Sequence, residues 1–128
     1  MNDRKDRRKI ITGKTGEGIA VDFLTQNGYR ILEVNYRCPI GEIDMVARES
    51  GELVFVEVKT RKSSAMGYPE QAVGFAKQKK MSQLALWYLR DKKVIDAAVR
   101  FDVVAILMLP SGNDIRLIRN AFDFISLG

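Results

Sequence analysis

Apolar and polar residues alternate along two neighbouring segments of this chain. Ile43, Met45 and Ala47 interleave with Glu42, Asp44, Val46 and Arg48, and the run Leu53-Val54-Phe55-Val56-Glu57-Val58-Lys59 is rich in β-branched and aromatic residues. Two such runs around Ser50-Gly51 predict a β-hairpin. A two-residue loop at Ser50-Gly51 sets Met45 against Val56, Ala47 against Val54 and Ile43 against Val58, a wholly apolar face that must be buried. The remaining pattern predicts a helix over Thr12–Asn27, with Ala20, Phe23 and Leu24 as its stripe, Ile19 and Val21 flanking it, and Gly28 closing its C-terminus. A strand over Tyr29–Arg37 follows. A second helix over Pro69–Arg90, with a break near Gly74, carries Met81, Leu84, Ala85, Tyr88 and Leu89 on one face. Val99–Leu109 reads as a long strand whose continuous apolar run, Val103 to Leu107, suits a position buried on both sides. A short strand over Asp114–Arg119 comes after Pro110-Ser111-Gly112-Asn113. The order α-β-β-β-α-β, with a helical crossover between the third and fourth strands, is that of an α/β fold with a mixed sheet flanked by helices.

The polar face of the hairpin is the unusual part. In the same register Asp44 stands opposite Glu57, and Glu42 opposite Lys59. Opposed side chains lie about 5 Å apart at Cβ, where like charges repel by about 3 kcal/mol at an effective dielectric near 20. A hard divalent cation between the carboxylates, or a proton on one of them, relieves that repulsion. Mg²⁺ or Mn²⁺ takes oxygen ligands and keeps several waters, so Asp44, Glu57 and the backbone carbonyl of Val58 form a sufficient ligand set. Lys59, two residues beyond Glu57 on the same face, is placed to orient or deprotonate an attacking water or to stabilise charge on a phosphate. Against this stands a plainer possibility: Glu57-Val58-Lys59 as the solvated face of an ordinary strand, with Glu42 and Lys59 as a cross-strand ion pair.

Composition narrows the class. The chain has 128 residues, enough for one core, and a formal net charge of +5 that suits an anionic partner such as DNA or another nucleic acid. It has no histidine, which removes His-based triads and most zinc sites, and one cysteine, Cys38, which cannot form an internal disulfide and points to a reducing cytoplasm. No run is apolar enough for a membrane span. Residues 1–14 carry six Lys or Arg against two Asp and read as a basic flexible arm, in which Arg7 and Arg8 are candidate phosphate contacts. Residues 15–128 read as one domain. Further phosphate-binding candidates are Arg61 and Lys62, directly after Lys59, and Lys77 and Lys80, which share a helix face. In Arg100-Phe101-Asp102, Asp102 is the polar oddity of a buried strand, and pairing with Arg100 or capping the strand is the favoured role.

Asp44 followed by Glu57-Val58-Lys59 resembles the PD-(D/E)xK signature of restriction-endonuclease-like nucleases, with Ile43 where the signature has proline. Gly16-Glu17, Ala20, Asn35-Tyr36-Arg37, Gly41-Glu42-Ile43-Asp44, Val54 through Arg61 and Arg100 through Val104 together resemble the YraN-like family of uncharacterised, endonuclease-like bacterial proteins. The resemblance runs from about Thr15 to Asp123. It implies a restriction-endonuclease-like fold and nucleic-acid binding, and does not by itself establish cleavage; with Asp44, Glu57 and Lys59 as read above, the expected activity is Mg²⁺-dependent hydrolysis of DNA, branched or damaged forms included, and a non-catalytic nucleic-acid-binding module is the alternative. The resemblance adds Glu17 as a further candidate metal ligand, although a first-turn acid also simply complements the helix dipole. It adds Gln71 as a supporting residue, and it admits a homodimer.

Overall fold

A computed structural model describes residues 16–62 and 73–126. Its elements run α1 (Gly16–Gln26), β1 (Arg30–Cys38), β2 (Gly41–Glu49), β3 (Glu52–Arg61), α2 (Phe75–Asp91), β4 (Val99–Leu109) and β5 (Gly112–Phe122). The strands form a five-stranded sheet in the order β1-β2-β3-β4-β5. Every neighbouring pair is antiparallel except β3 and β4, which are parallel and joined through α2. This is the α/β mixed sheet that the residue pattern predicts. Among the described residues no helix is long and apolar enough to cross a membrane.

Alternation along each strand divides the core into two layers. On one face Ala20, Val21 and Leu24 of α1 pack with Met45, Ala47, Val54, Val56, Val104 and Ile106. On the other, Met81, Leu84, Ala85 and Tyr88 of α2 pack with Val46, Leu53, Phe55, Phe101 and Val103. Strand β4 therefore serves both layers, and Phe101 through Leu107 are all buried. Fully burying side chains of this size stabilises by about 1.5–3 kcal/mol each, so the two layers are what holds both helices on the sheet. The α1 stripe differs from expectation in one respect: Val21 is buried while Phe23 is only partly so. Gly28, with φ 90°, ends α1 as expected, because only glycine takes that conformation without strain. Helix α2 begins at Phe75, with Gly74 as its N-cap; the expected start at Pro69 lies outside the described residues. Strand β5 is longer than its predicted Asp114–Arg119 core. Its backbone pairs along β4 out to Phe122, and a polar, outward-facing edge strand has little hydrophobic alternation to announce that length.

The hairpin has the expected register over half its length. Ser50 and Gly51 both have positive φ, 53° and 81°, as a two-residue type I′ turn requires. Above the turn Met45 pairs with Val56, Val46 with Phe55, Ala47 with Val54 and Arg48 with Leu53. Paired register ends at Met45 and Val56. Ile43, expected on the same face as Met45 and opposite Val58, instead packs in the α2 layer with Val46 and Phe55. The alternation of β2 is broken at Asp44, for a reason that belongs to the functional site.

At the turn end of the sheet a buried ionic cluster fixes the strands. Arg100 donates from Nε and Nη2 to the two carboxylate oxygens of Asp102, both at 2.9 Å, and reaches Glu52 and Glu49 at 2.8 Å. Asp102 also accepts from the Tyr29 hydroxyl at 2.7 Å and from the Asn120 backbone N–H at 2.9 Å. These partners hold the Arg100 guanidinium well above its ordinary pKa. Burial, then the Asp102 hydrogen bond, push the Tyr29 phenol up to about 12. Asp102 is fully buried and bonded to Tyr29, Arg100 and Asn120, so the structural role favoured on sequence grounds is the one it has.

Replacing one member of a buried pair strands the other. Asp102→Ala is expected to cost about 3–5 kcal/mol, measured as the loss in urea unfolding free energy. A loss below about 1 kcal/mol would mean that the cluster is not anchoring the sheet.

Candidate functional site

The site grows from the last turns of the β3 ladder. Leu53 donates its N–H to the Ala98 carbonyl, on the β4 side. In an extended strand the N–H and C=O of one residue point the same way and successive residues alternate, so both backbone groups of Val58 point toward β2. Continued pairing would bring Ile43 to Val58. Instead the carboxylate of Asp44 turns into the plane of the sheet, and its Oδ2 accepts the Val58 N–H at 2.8 Å. The β2–β3 register ends there, Ile43 is displaced to the other layer, and the Val58 carbonyl, pointing the same way as its N–H, faces the Asp44 side of the hairpin.

Glu57 lies on the α2 side of β3, in line with Leu53 and Phe55. Its carboxyl and that of Asp44 are within hydrogen-bonding contact. The Asp44 carboxyl is pushed up to about 7: burial is the largest cause, the Val58 N–H opposes it, and the negative charges of Glu57 and Glu17 add to it. Asp44 therefore keeps its proton up to about neutrality when nothing else neutralises it. On its open side Glu57 is met by the Lys77 ammonium at 3.2 Å. The cleft between hairpin and α2 is walled by Glu42, Asp44, Glu57 and Lys77 over a floor of Phe55 and Met81.

Glu17 enters from the α1 side. A Cβ on Gly16 would run into the side chain of Thr60, so only glycine lets the start of α1 press this closely on β3. That contact carries Glu17 to within electrostatic reach of Asp44 and Glu42. Its carboxyl is raised, chiefly by burial, and lowered in part by a hydrogen bond from the Asn35 side chain. Its Oε2 is buried with no hydrogen-bond partner, an arrangement that costs free energy unless a cation or donor answers it.

These donors fit a hard divalent ion. All are oxygens, as Mg²⁺ and Mn²⁺ prefer. Among the described residues no three Asp, Glu, His or Cys side chains form a cage by themselves, so a set built on Asp44 and Glu57 needs the Val58 carbonyl and waters to complete it. Glu17, with its unanswered oxygen, stands behind.

The other candidates fall at different distances. Lys59 is half-buried, two residues beyond Glu57 in β3, in register with Ala105. Arg61 and Lys62 are exposed where β3 ends. The Lys80 side chain lies against Gly41, at the rim of the cleft. Lys77 stands on Glu57 itself. Glu42, expected opposite Lys59, instead pairs with Arg37 across β1 and β2 at 3.2 Å, because the β1–β2 register sets those two residues opposite one another. Arg7, Arg8 and Gln71 lie outside the described residues.

Sequence reasoning missed Asn35. It stands in β1 between Val34 and Tyr36, which pair with Met45 and Ile43, so it faces Asp44 across the strands. Its φ of 55° is left-handed, a conformation rare for a non-glycine strand residue and best tolerated by asparagine. An asparagine between a valine and a tyrosine in a predicted strand, a position where it is disfavoured, was the available signal.

A model of the uncharacterised protein family UPF0102 matches residues 16–106. A UPF0102 protein of Syntrophus aciditrophicus is 50% identical over 116 residues, covering 91% of each chain. One of Geotalea daltonii is 52% identical over 112 residues, covering 87% of this chain and 88% of the relative. Among solved structures, Pyrococcus furiosus SfsA in complex with Ca²⁺ is similar with a TM-score of 0.39 and 18% identity, over 88% of this chain and 64% of that one.

The raised Asp44 carboxyl has a consequence for stability. Its folded pKa of about 7 exceeds its ordinary 3.8, so the folded state holds more protons between those values. The contribution is fully present below the lower value and is lost as pH rises through the upper one. In chelator, Asp44→Asn, which keeps an acceptor for the Val58 N–H, is expected to melt above wild type at pH 8 and to lose that advantage by pH 4. Thermal scans across this range measure it. Equal melting of the two proteins at both ends would refute the shift.

Proposed function

We infer that this chain, which belongs to the uncharacterised protein family UPF0102, binds nucleic acid and hydrolyses a DNA phosphodiester bond with Mg²⁺ or Mn²⁺ held at the Asp44–Glu57 pair. The observation that carries this reading is the contact between those two carboxylates, made possible by the Asp44 bond to Val58. Two acids forced together at a strand end, with an unpartnered third acid oxygen nearby, are expensive to maintain in a protein that never binds a cation.

Asp44, Glu57 and the Val58 carbonyl would hold the divalent ion, which would supply Lewis-acid stabilisation of the charge that develops on the scissile phosphate. The chain's own groups do the rest. Lys59 donates to the attacking water and to the phosphate, fixing the line of approach. Asp44, tied by the Val58 N–H, holds its orientation with little freedom to lose. Glu17 extends the acidic wall toward α1. Arg61, Lys62 and Lys80, together with Arg7 and Arg8 of the N-terminal segment, neutralise backbone phosphates on either side of the cut. Such contacts give salt-dependent affinity without reading bases. Recognition of a branched or damaged DNA by shape, rather than of a base sequence, is therefore the expectation.

Incubation of labelled single-stranded, duplex and four-way DNA with Mg²⁺ or Mn²⁺ tests the reading. Cleavage is expected to fall by about 10²–10⁴ in Lys59→Ala and to vanish in Asp44→Ala, with binding largely retained in both. Cleavage that survives Lys59→Ala belongs to a contaminant. Salt-sensitive binding without cleavage under every metal condition would make the protein a non-catalytic module.

A further inference from the structure

We propose that Lys77 is a built-in counterion for the metal position: it occupies Glu57 when no divalent ion is bound, is displaced by the ion, and is then handed to a phosphate of the nucleic acid. The inference rests on the metal-dependent reading above and adds a regulatory link between metal and nucleic-acid binding at the same cleft.

The geometry is specific to this lysine. Lys77 and Lys80 lie near the start of α2 and share its cleft-facing side. Lys80 is turned toward Gly41, at the rim. Lys77 makes a 3.2 Å ion pair with Glu57, and its side chain is about half exposed, 47%, while that of Glu57 is 17% exposed. One end of the pair is thus fixed in the cleft wall, and the other is a flexible stem open to solvent. A compact ammonium on a four-carbon stem can leave a carboxylate and reach a nearby phosphate with only rotamer changes. It is also the wrong partner to share that carboxylate with a divalent ion. Both are cations competing for the same oxygens, and the Asp44 and Glu57 charges that attract one attract the other. Loading the ion must therefore release Lys77 or drive it outward, into the space where a bound backbone phosphate lies next to the ion. An ion and a polyanion then bind cooperatively, because the ion supplies the lysine that the phosphate needs. Linkage requires the reverse as well: nucleic acid tightens the ion.

The test compares wild type with Lys77→Gln, and uses Lys79→Gln, an exposed charge change two residues away on another side of α2, as the control for net charge. Mn²⁺ binding is measured by electron paramagnetic resonance without nucleic acid. Loss of a half-exposed competing ion pair is expected to tighten Mn²⁺ by up to about fivefold in Lys77→Gln, with a smaller change in Lys79→Gln. Binding of a labelled four-way DNA is measured with and without Mn²⁺. Wild type and Lys79→Gln are expected to gain affinity with the ion, and Lys77→Gln to gain measurably less. Unchanged or weaker Mn²⁺ binding in Lys77→Gln, or the same gain in DNA affinity as wild type, overturns the counterion role while leaving the metal site intact. Absence of Mn²⁺ binding in all three proteins overturns the metal reading beneath it.

Discussion

One hydrogen bond, from the Val58 N–H to the Asp44 carboxylate, sets the terms for the rest of the molecule's chemistry. Every buried backbone donor needs an acceptor. Val58 takes a side chain where the next carbonyl of the ladder belongs, and the β2–β3 register stops at that level. A strand that stopped without such a substitute would leave an orphan amide. With it, the hairpin opens beside an acid and the next acid along β3. The same bond goes with the change of layer at Ile43, and it holds Asp44 where burial and the neighbouring Glu57 and Glu17 raise its carboxyl against the pull of the Val58 N–H.

The two helices bring different chemistry to that opening. Helix α1 contributes an acid, Glu17, through a contact that only Gly16 allows. Helix α2 contributes amines, Lys77 on the acid pair and Lys80 at the rim. The far end of the sheet has the opposite character. There Arg100, Asp102, Tyr29, Glu49 and Glu52 are all matched to partners, and burial raises no unanswered charge. A fully satisfied polar cluster fixes strand positions and has nothing left to offer a ligand. A partly satisfied one, at the other end of β3, is where a ligand has something to add.

Much of this was legible in the sequence because hydrophobic alternation is a direct record of which side of a sheet is buried. Met45, Ala47, Val54 and Val56 gave the hairpin register, Val103 to Leu107 gave the central strand, and Met81, Leu84, Ala85 and Tyr88 gave the face of α2. The acid pair followed from that register, since Asp44 and Glu57 had no bland reason to stand opposite one another. What the pattern could not carry was a side chain leaving its face. Alternation assigns Asp44 and Ile43 to sides, whereas the structure turns Asp44 into the plane and sends Ile43 across. Asn35 was hidden for the same reason: its importance lies in a backbone angle, not in hydrophobicity. The pairing of Lys77 with Glu57 spans a crossover whose geometry no local spacing encodes.

That crossover also sets an order of assembly. The acids of the hairpin are 13 residues apart in the chain and meet as soon as a two-residue turn closes, an event that takes about 1–10 μs in isolated hairpins. Lys77 reaches them only after α2 has folded back and β4 has docked parallel to β3, the slow, non-local kind of closure. On these timescales a nascent chain brings its two acids together before the amine of α2 can reach them.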